Sequence, residues 1–215
     1  SLACKKRVAS DGKSVKIGLP EVMLGILPGF GGSVRLPRLA PLPTALDMIL
    51  TGKQVDGPKA YKMGMLDAFL PSQDFNQRAL AWARANAGKP TRSVHSLMTR
   101  LMEMIPLRGF VFSQARKQVM KNTKGKYPAP LKILDLLAEI HGMDIEEALK
   151  REAKAFSILA VTSVSKRLIE LFQLSESVKK TNGVGPEVQA RKVERSGLLG
   201  AGEMGGGIAW AFANK

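Results

Sequence analysis

Two places in the 215-residue chain put chemically useful residues at informative spacings. Near its end, Gly200-Ala201-Gly202-Glu203-Met204-Gly205 has the pattern G-x-G-x-x-G. Val193 to Leu199 (VERSGLL) reads as a short strand before it, and Ile208 to Ala213 (IAWAFA) as good helix material after it. Glycines at a strand-to-helix turn suit a dinucleotide. The first allows the tight turn, the second admits the pyrophosphate, and the third lets helix pack on strand. The helix N-terminus then attracts the phosphate charge. A glycine-rich tail is the plain alternative. The acidic partner of the ribose is expected about 20 residues further on, whereas only ten residues follow Gly205. Near the start, Pro20 and Glu21 set a carboxylate directly after the strand-like run Val15 to Leu19 (VKIGL). Such a group either ends a strand in solvent or moves protons at a site. The loop Gly25 to Gly32 (GILPGFGG) follows, and its Pro28-Gly29 turn either is an ordinary turn or lets backbone and ligand approach closely.

The elements that must hold these residues are mostly helical. A helix starts near Ser33, and a second spans Thr44 to Leu50 with Ala45, Leu46, Ile49 and Leu50 on one face. Asp56 before Gly57-Pro58 is an N-cap for a third, stopped at Gly64. Met65 to Leu70 is another strand-like run, and Phe75 to Asn86 is alanine-rich and helical. From Thr91 the pattern is all helical. Val94, Leu97, Met98, Leu101, Met102 and Ile105 make one apolar stripe ended by Pro106. Leu107 to Lys121 follows with Phe110, Val111, Ala115 and Met120 inward. Pro128 and Pro130 open a helix through Leu131, Leu134, Leu137, Ala138 and His141. Asp144 with Glu147 resembles a capping box for a helix through Ala148, Leu149, Phe156 and Leu159, and Val164, Leu168, Ile169 and Phe172 continue the spacing. Ser175 to Lys192 turns polar and reads as a linker. There is no internal repeat.

Composition limits the function classes. At 45 % apolar and 24 % charged the chain is globular in type, and no apolar run is long enough to span a bilayer. Ser1 to Lys13 lacks the apolar core of a signal peptide. One cysteine, Cys4, makes no internal disulfide and holds no structural zinc, so a reducing compartment and no metal are expected. The formal charge of +15 suits a nucleic acid, an anionic membrane surface or a phosphate-bearing substrate, or else decorates solvated helix faces. With 2 Tyr, 2 Trp and 8 Phe, base-stacking platforms are hard to build, and no nucleic-acid partner is expected.

Lys16 to Leu39 (KIGLPEVMLGILPGFGGSVRLPRL) resembles the crotonase, or enoyl-CoA hydratase/isomerase, superfamily, through Pro20-Glu21, Leu24-Gly25, Pro28-Gly29, Gly31-Gly32 and Arg35-Leu36 in that order. Thr51-Gly52 and Met63-Gly64-Met65-Leu66-Asp67 are similar to later motifs of that family. Thr123 to Pro130 (TKGKYPAP) resembles the junction of fused enzymes that join a hydratase to 3-hydroxyacyl-CoA dehydrogenase, and LLGAGEMGGGIA resembles the opening of that dehydrogenase. The resemblance implies a helix-rich α/β chain: the C-terminal part of a crotonase fold over residues 1–125, a helical linker over 126–192, and the first β-α of a Rossmann domain over 193–215.

For the site, the resemblance implies that Glu21 is the second of the family's two catalytic glutamates and that Pro28 and Gly29 meet the acyl-CoA thioester. The partner glutamate belongs to a segment upstream of Ser1, and the oxyanion-hole loops to still earlier sequence. Lys5 departs from the family's usual Asp after the cysteine. Gly200, Gly202, Glu203, Met204 and Gly205 would hold NAD, while the dehydrogenase's His and Glu lie past Lys215. His95 and His141 fall in helical segments outside these motifs and are expected to pack or face solvent. Hydration of enoyl-CoA and NAD-dependent oxidation in fatty acid β-oxidation, with a thiolase subunit as partner, is therefore the expectation for the parent enzyme. Neither step is expected of these 215 residues alone. A bacterial cytoplasm is expected, with the mitochondrial matrix as alternative. Two rival readings stand beside it: a single-function crotonase-type isomerase or hydratase, and a basic RNA-binding or interaction module.

Overall fold

Prolines and short polar caps decide where most of the helices begin, and their apolar stripes decide how they pack. The computed structural model describes residues 1–92, 94, 105–180, 183, 188, 192–200 and 202–214. The order is β1 (Val8–Ser10), β2 (Ile17–Gly18), a 3-10 turn (Pro20–Leu24), α1 (Gly32–Leu39), α2 (Leu42–Thr51), β3 (Gln54–Val55), α3 (Gly57–Lys62), β4 (Ala68–Leu70), α4 (Phe75–Ala85), α5 (Ile105–Thr123), α6 (Pro128–Glu139), α7 (Ile145–Ala160), α8 (Ser163–Lys180) and α9 (Glu203–Ala213). β1 and β4 pair in parallel, with Val8 opposite Ala68, and β2 and β3 pair antiparallel, with Ile17 opposite Val55. The chain forms two compact units, Ser1–Leu174 and Ser175–Lys215. Among the described residues no helix is long and apolar enough to cross a membrane.

In the first unit the core lies between α1, α2, α6 and α7. Leu27, Leu36, Met48, Ile49, Ile133 and Leu134 are its largest fully buried apolar side chains. Strands need neighbours, so two short ladders alone predict poor packing of the first 70 residues. The helices remove that difficulty, because α6 packs on both α1 and α2, and α7 packs on α1. Residues 128–174, within the stretch read as a linker, therefore belong to the same unit as the turn that carries Glu21. Ile133→Val in α6 is expected to destabilise this unit by about 1 kcal/mol, the usual effect of one buried methyl, readable as a lower denaturant midpoint.

Local chemistry explains several boundaries. The Asp56 carboxylate accepts a hydrogen bond from the Lys59 N–H at 2.8 Å and starts α3. Asp144 starts α7 by accepting from the Glu146 N–H at 2.8 Å, and these backbone bonds hold its carboxyl below the usual range. The capping box is not closed, since Glu147 instead accepts from Arg151 Nε one turn later. In α5 the inward stripe is Val111, Ala115 and Val119. Phe110 and Met120, expected inside, are exposed, because each sits one residue, about 100°, off that stripe. Ala138 is likewise exposed on α6. Asp67, from the Met-Leu-Asp motif, is buried and accepts from the Arg7 and Arg92 N–H groups at 2.9 and 3.2 Å, tying the segment before β4 to that before β1. The Met-rich stripe from Val94 falls largely on residues 95–104, outside the described ones, as does His95.

The second unit departs from the sequence reading in two ways. The polar stretch from Ser175 does not begin as a linker, since α8 runs on to Lys180. Val193–Leu199 forms neither strand nor helix, and Val193 is 77 % exposed. A strand requires a hydrogen-bonded neighbour, and no described residue pairs with this segment.

Candidate functional site

Glu21 is the second residue of the 3-10 turn, which Pro20 opens and Gly25 closes. The turn is short and lacks a side-chain N-cap, so its conformation is set by what surrounds it. On one side the Tyr127 hydroxyl, just before α6, donates to the Val22 carbonyl and accepts from the Gly25 N–H at 3.2 Å. On the other side lies the first turn of α8. Gly25 has φ +72°, and a Cβ there would stand 3.0 Å from Ser165 Cα and 3.2 Å from Leu168 Cδ1. Gly25→Ala combines a left-handed backbone with that crowding, and an expected loss of about 2 kcal/mol in denaturant unfolding follows.

Within this frame Glu21 carries an unusual feature. Its Oε2 is buried and has no hydrogen-bond partner among the described residues. A buried polar atom left unpaired costs on the order of 1–3 kcal/mol. Sites that use a carboxylate are a recognised setting for such an atom. The neighbouring Val22 and Met23 line an apolar cavity of about 510 Å³, enclosed further by Leu46, Leu50, Val111 and Val119.

Pro28 and Gly29 are placed differently from each other. Pro28 is fully buried, and its carbonyl accepts from both the N–H and the hydroxyl of Ser33, at 3.1 and 2.8 Å. Its side chain therefore packs against the core rather than facing a cavity. Gly29 lines a second cavity of about 440 Å³ with Phe30, Arg35, Leu149, Glu152 and Phe156. A Cβ at Gly29 would lie 3.3 Å from the Phe156 ring.

The sequence reading missed Glu152. It sits in α7 on the apolar stripe Ala148, Glu152, Ala155, Leu159, and a lone carboxylate on such a stripe was the available signal. Only 2 % exposed, it accepts from the N–H groups of Gly31 at 2.5 Å and Val34 at 3.1 Å. These are the orphan donors at the start of α1. Burial raises the Glu152 pKa, against the lowering effect of the neighbouring N–H groups and of Arg35.

At the other end of the chain, α9 starts at Glu203 with Gly202 as N-cap and no side-chain cap bond. Gly200 has φ +103°, and a Cβ on Gly205 would lie 2.2 Å from the Gly200 carbonyl oxygen. Glycine is thus required for the loop to close onto the helix. Glu203 and Met204 form the first helical positions, both exposed, while Ala201 lies outside the described residues. His141 follows the end of α6, half-buried, and Cys4 is exposed. Among the described residues no three His, Cys, Asp or Glu side chains gather as metal ligands.

Comparison with known proteins decides the family. The sequence pattern named enoyl-CoA hydratase/isomerase matches residues 1–127, more than half of the chain. The chain belongs to the enoyl-CoA hydratase/isomerase family. Its curated relatives include the fatty acid oxidation complex subunit alpha of Shewanella amazonensis, 44 % identical over 218 residues, and that of Shewanella loihica, 42 % identical over 216. Each match covers 100 % of this chain and 30 % of the relative, so the chain spans about a third of those proteins. Among solved structures, an enoyl-CoA hydratase from Rhodobacter sphaeroides aligns with TM-score 0.53 at 18 % identity, over 85 % of this chain and 60 % of that one. A carnitinyl-CoA dehydratase from Mycobacterium thermoresistibile gives TM-score 0.53 at 20 % identity, over 79 % and 54 %. These structures establish the crotonase fold for the described helix-rich α/β architecture. In this family setting the turn bearing Glu21, its clamp and the Gly29 loop all lie within residues 1–127.

Proposed function

We propose that the chain is part of a longer, multifunctional enzyme of fatty acid β-oxidation, and that Glu21 moves a proton during hydration of an enoyl-CoA thioester. The observation that carries this reading is the buried, unpartnered Oε2 of Glu21 on a clamped turn. Hydration adds the water oxygen to the β carbon and a proton to the α carbon, so one group must take a proton from water and one must deliver it. Two carboxylates can share that work. Glu21 is one of them, and the other belongs to the longer protein. Gly29 borders the substrate, with Pro28 fixing its loop from inside the core. The apolar cavity beside Val22 and Met23 suits the acyl chain.

The second activity proposed is oxidation of the resulting 3-hydroxyacyl-CoA. The start of α9 suits the pyrophosphate of NAD, because its first N–H groups lack a side-chain cap and Gly200 and Gly205 need their missing side chains. Gly200, Gly202, Glu203, Met204 and Gly205 would hold that end of the cofactor. NAD, when bound, supplies the hydride acceptor. A thiolase subunit is the proposed partner, and a bacterial cytoplasm the proposed location.

The test is crotonyl-CoA hydration by the 215-residue chain and by the longer protein, with the intact mass of each sample measured alongside. Activity in the longer protein and none in the short chain is expected. A longer protein without hydratase activity overturns the reading. A short chain that hydrates crotonyl-CoA by itself overturns the assignment of the second carboxylate to the longer protein.

A further inference from the structure

We propose that Tyr127 is a positioning residue for Glu21, acting through the backbone of the 3-10 turn, an inference that rests on the hydratase reading above. One hydroxyl closes the turn from both directions: it donates to the Val22 carbonyl, directly after Glu21, and accepts from the Gly25 N–H that ends the turn. Among the described residues no other side chain hydrogen-bonds the backbone of residues 20–25. The turn's C-terminal end is closed by backbone bonds as well, since the Gly25 N–H reaches the Glu21 carbonyl. The Gly25 N–H also reaches the Val22 carbonyl at 3.0 Å, and the Ile26 N–H reaches the Glu21 carbonyl at a long 3.4 Å. A five-residue 3-10 turn has poorer hydrogen-bond geometry than an α-helix, so bonds from outside it matter more to its shape.

The clamp is suited to permanence. Burial raises the Tyr127 pKa, so the phenol stays protonated and remains a donor at neutral pH. Pro128 opens α6 immediately after it, and Ala129 and Pro130 are buried, so Tyr127 is carried by a helix rooted in the core. Ser165 and Leu168 close the opposite side at Gly25. With the turn held at its Gly25 end from two sides, loss of the hydroxyl frees the half that carries Glu21. Misplacement of a reacting group by about 1 Å can cost on the order of 100-fold in rate.

The experiment uses the longer enzyme, with Tyr127→Phe, which keeps the ring and removes only the oxygen. Its kcat for crotonyl-CoA hydration is expected to fall about 10- to 100-fold while KM changes by less than about twofold. Assays well below the thermal midpoint, checked by circular dichroism, separate this from unfolding. A kcat within about twofold of the parent overturns the proposal, as does a loss that disappears once the folded fraction is restored by cooling. Glu21→Gln is measured in parallel. If it leaves hydration intact, the reading of the site itself fails. If it abolishes hydration while Tyr127→Phe is silent, only the positioning role falls.

Discussion

Glu21→Gln in the longer enzyme is expected to lower kcat for crotonyl-CoA hydration by about 10²- to 10⁴-fold, the usual contribution of a positioned acid or base. Gln matches Glu in shape and keeps one carbonyl oxygen, so KM should move little. The amide cannot exchange a proton with water or the α carbon at neutral pH, which is why the effect should fall on kcat. The fold should survive, since no described residue hydrogen-bonds Glu21 Oε2 and Gly25 and Val22 are held through their backbones. A variant with unchanged thermal unfolding and unchanged kcat would remove Glu21 from the reaction. Steady-state hydration kinetics beside a melting curve decide the matter.

Glu152→Ala is expected to have the largest effect on stability, about 3 kcal/mol, because it strands buried N–H donors at the start of α1 and opens a cavity in the contact between α1 and α7. Glu152→Gln should cost less, since its carbonyl still serves some of the N–H groups while its amide opposes others. The pH dependence has a definite sign. Burial raises the Glu152 pKa in the folded chain, so the native state binds this proton more readily than the unfolded state. Stability from this group is therefore full below the ordinary glutamate range, falls as pH rises from there through the raised folded value, and is level above it. Denaturant midpoints across that window should decline with pH in the parent and flatten in Glu152→Gln. A slope that persists in the variant assigns it to another group.

What the sequence disclosed follows from the range of the forces involved. Asp56, Asp144 and the prolines at 58 and 128 act on their own neighbours, and the helices they open stand where those residues predict. Glu21 and Gly29 stand out as site candidates in the sequence because they sit inside one short motif. Glu152 was not assigned, because its partners at Gly31 and Val34 lie 121 and 118 residues earlier, and spacing along one helix does not name a partner on another. The same limit applied to Tyr127, noticed only as part of a junction. Phe110 and Met120 were misplaced for a different reason: an amphipathic reading accepts a stripe about two residues wide, and the helix turns about 100° per residue. Val193–Leu199 reads as a strand from its place before the glycines rather than from its composition, which includes Glu194 and Gly197, and a single segment cannot state whether a neighbouring strand is there.

The bond between Tyr127 and the Val22 carbonyl also bears on how the molecule comes into being. Its ends are 105 residues apart, and those to Gly25 are 102 apart. At roughly 5–20 residues per second, a ribosome spends several seconds or more between making the turn and making its clamp. Throughout that interval the nascent chain holds a carboxylate-bearing turn that nothing has yet fastened, and hydrophobic segments of α1 and α2 await the cover of α6. A chain released before Tyr127 would keep its family motif intact and still lack the fastening of its proposed proton-transfer group.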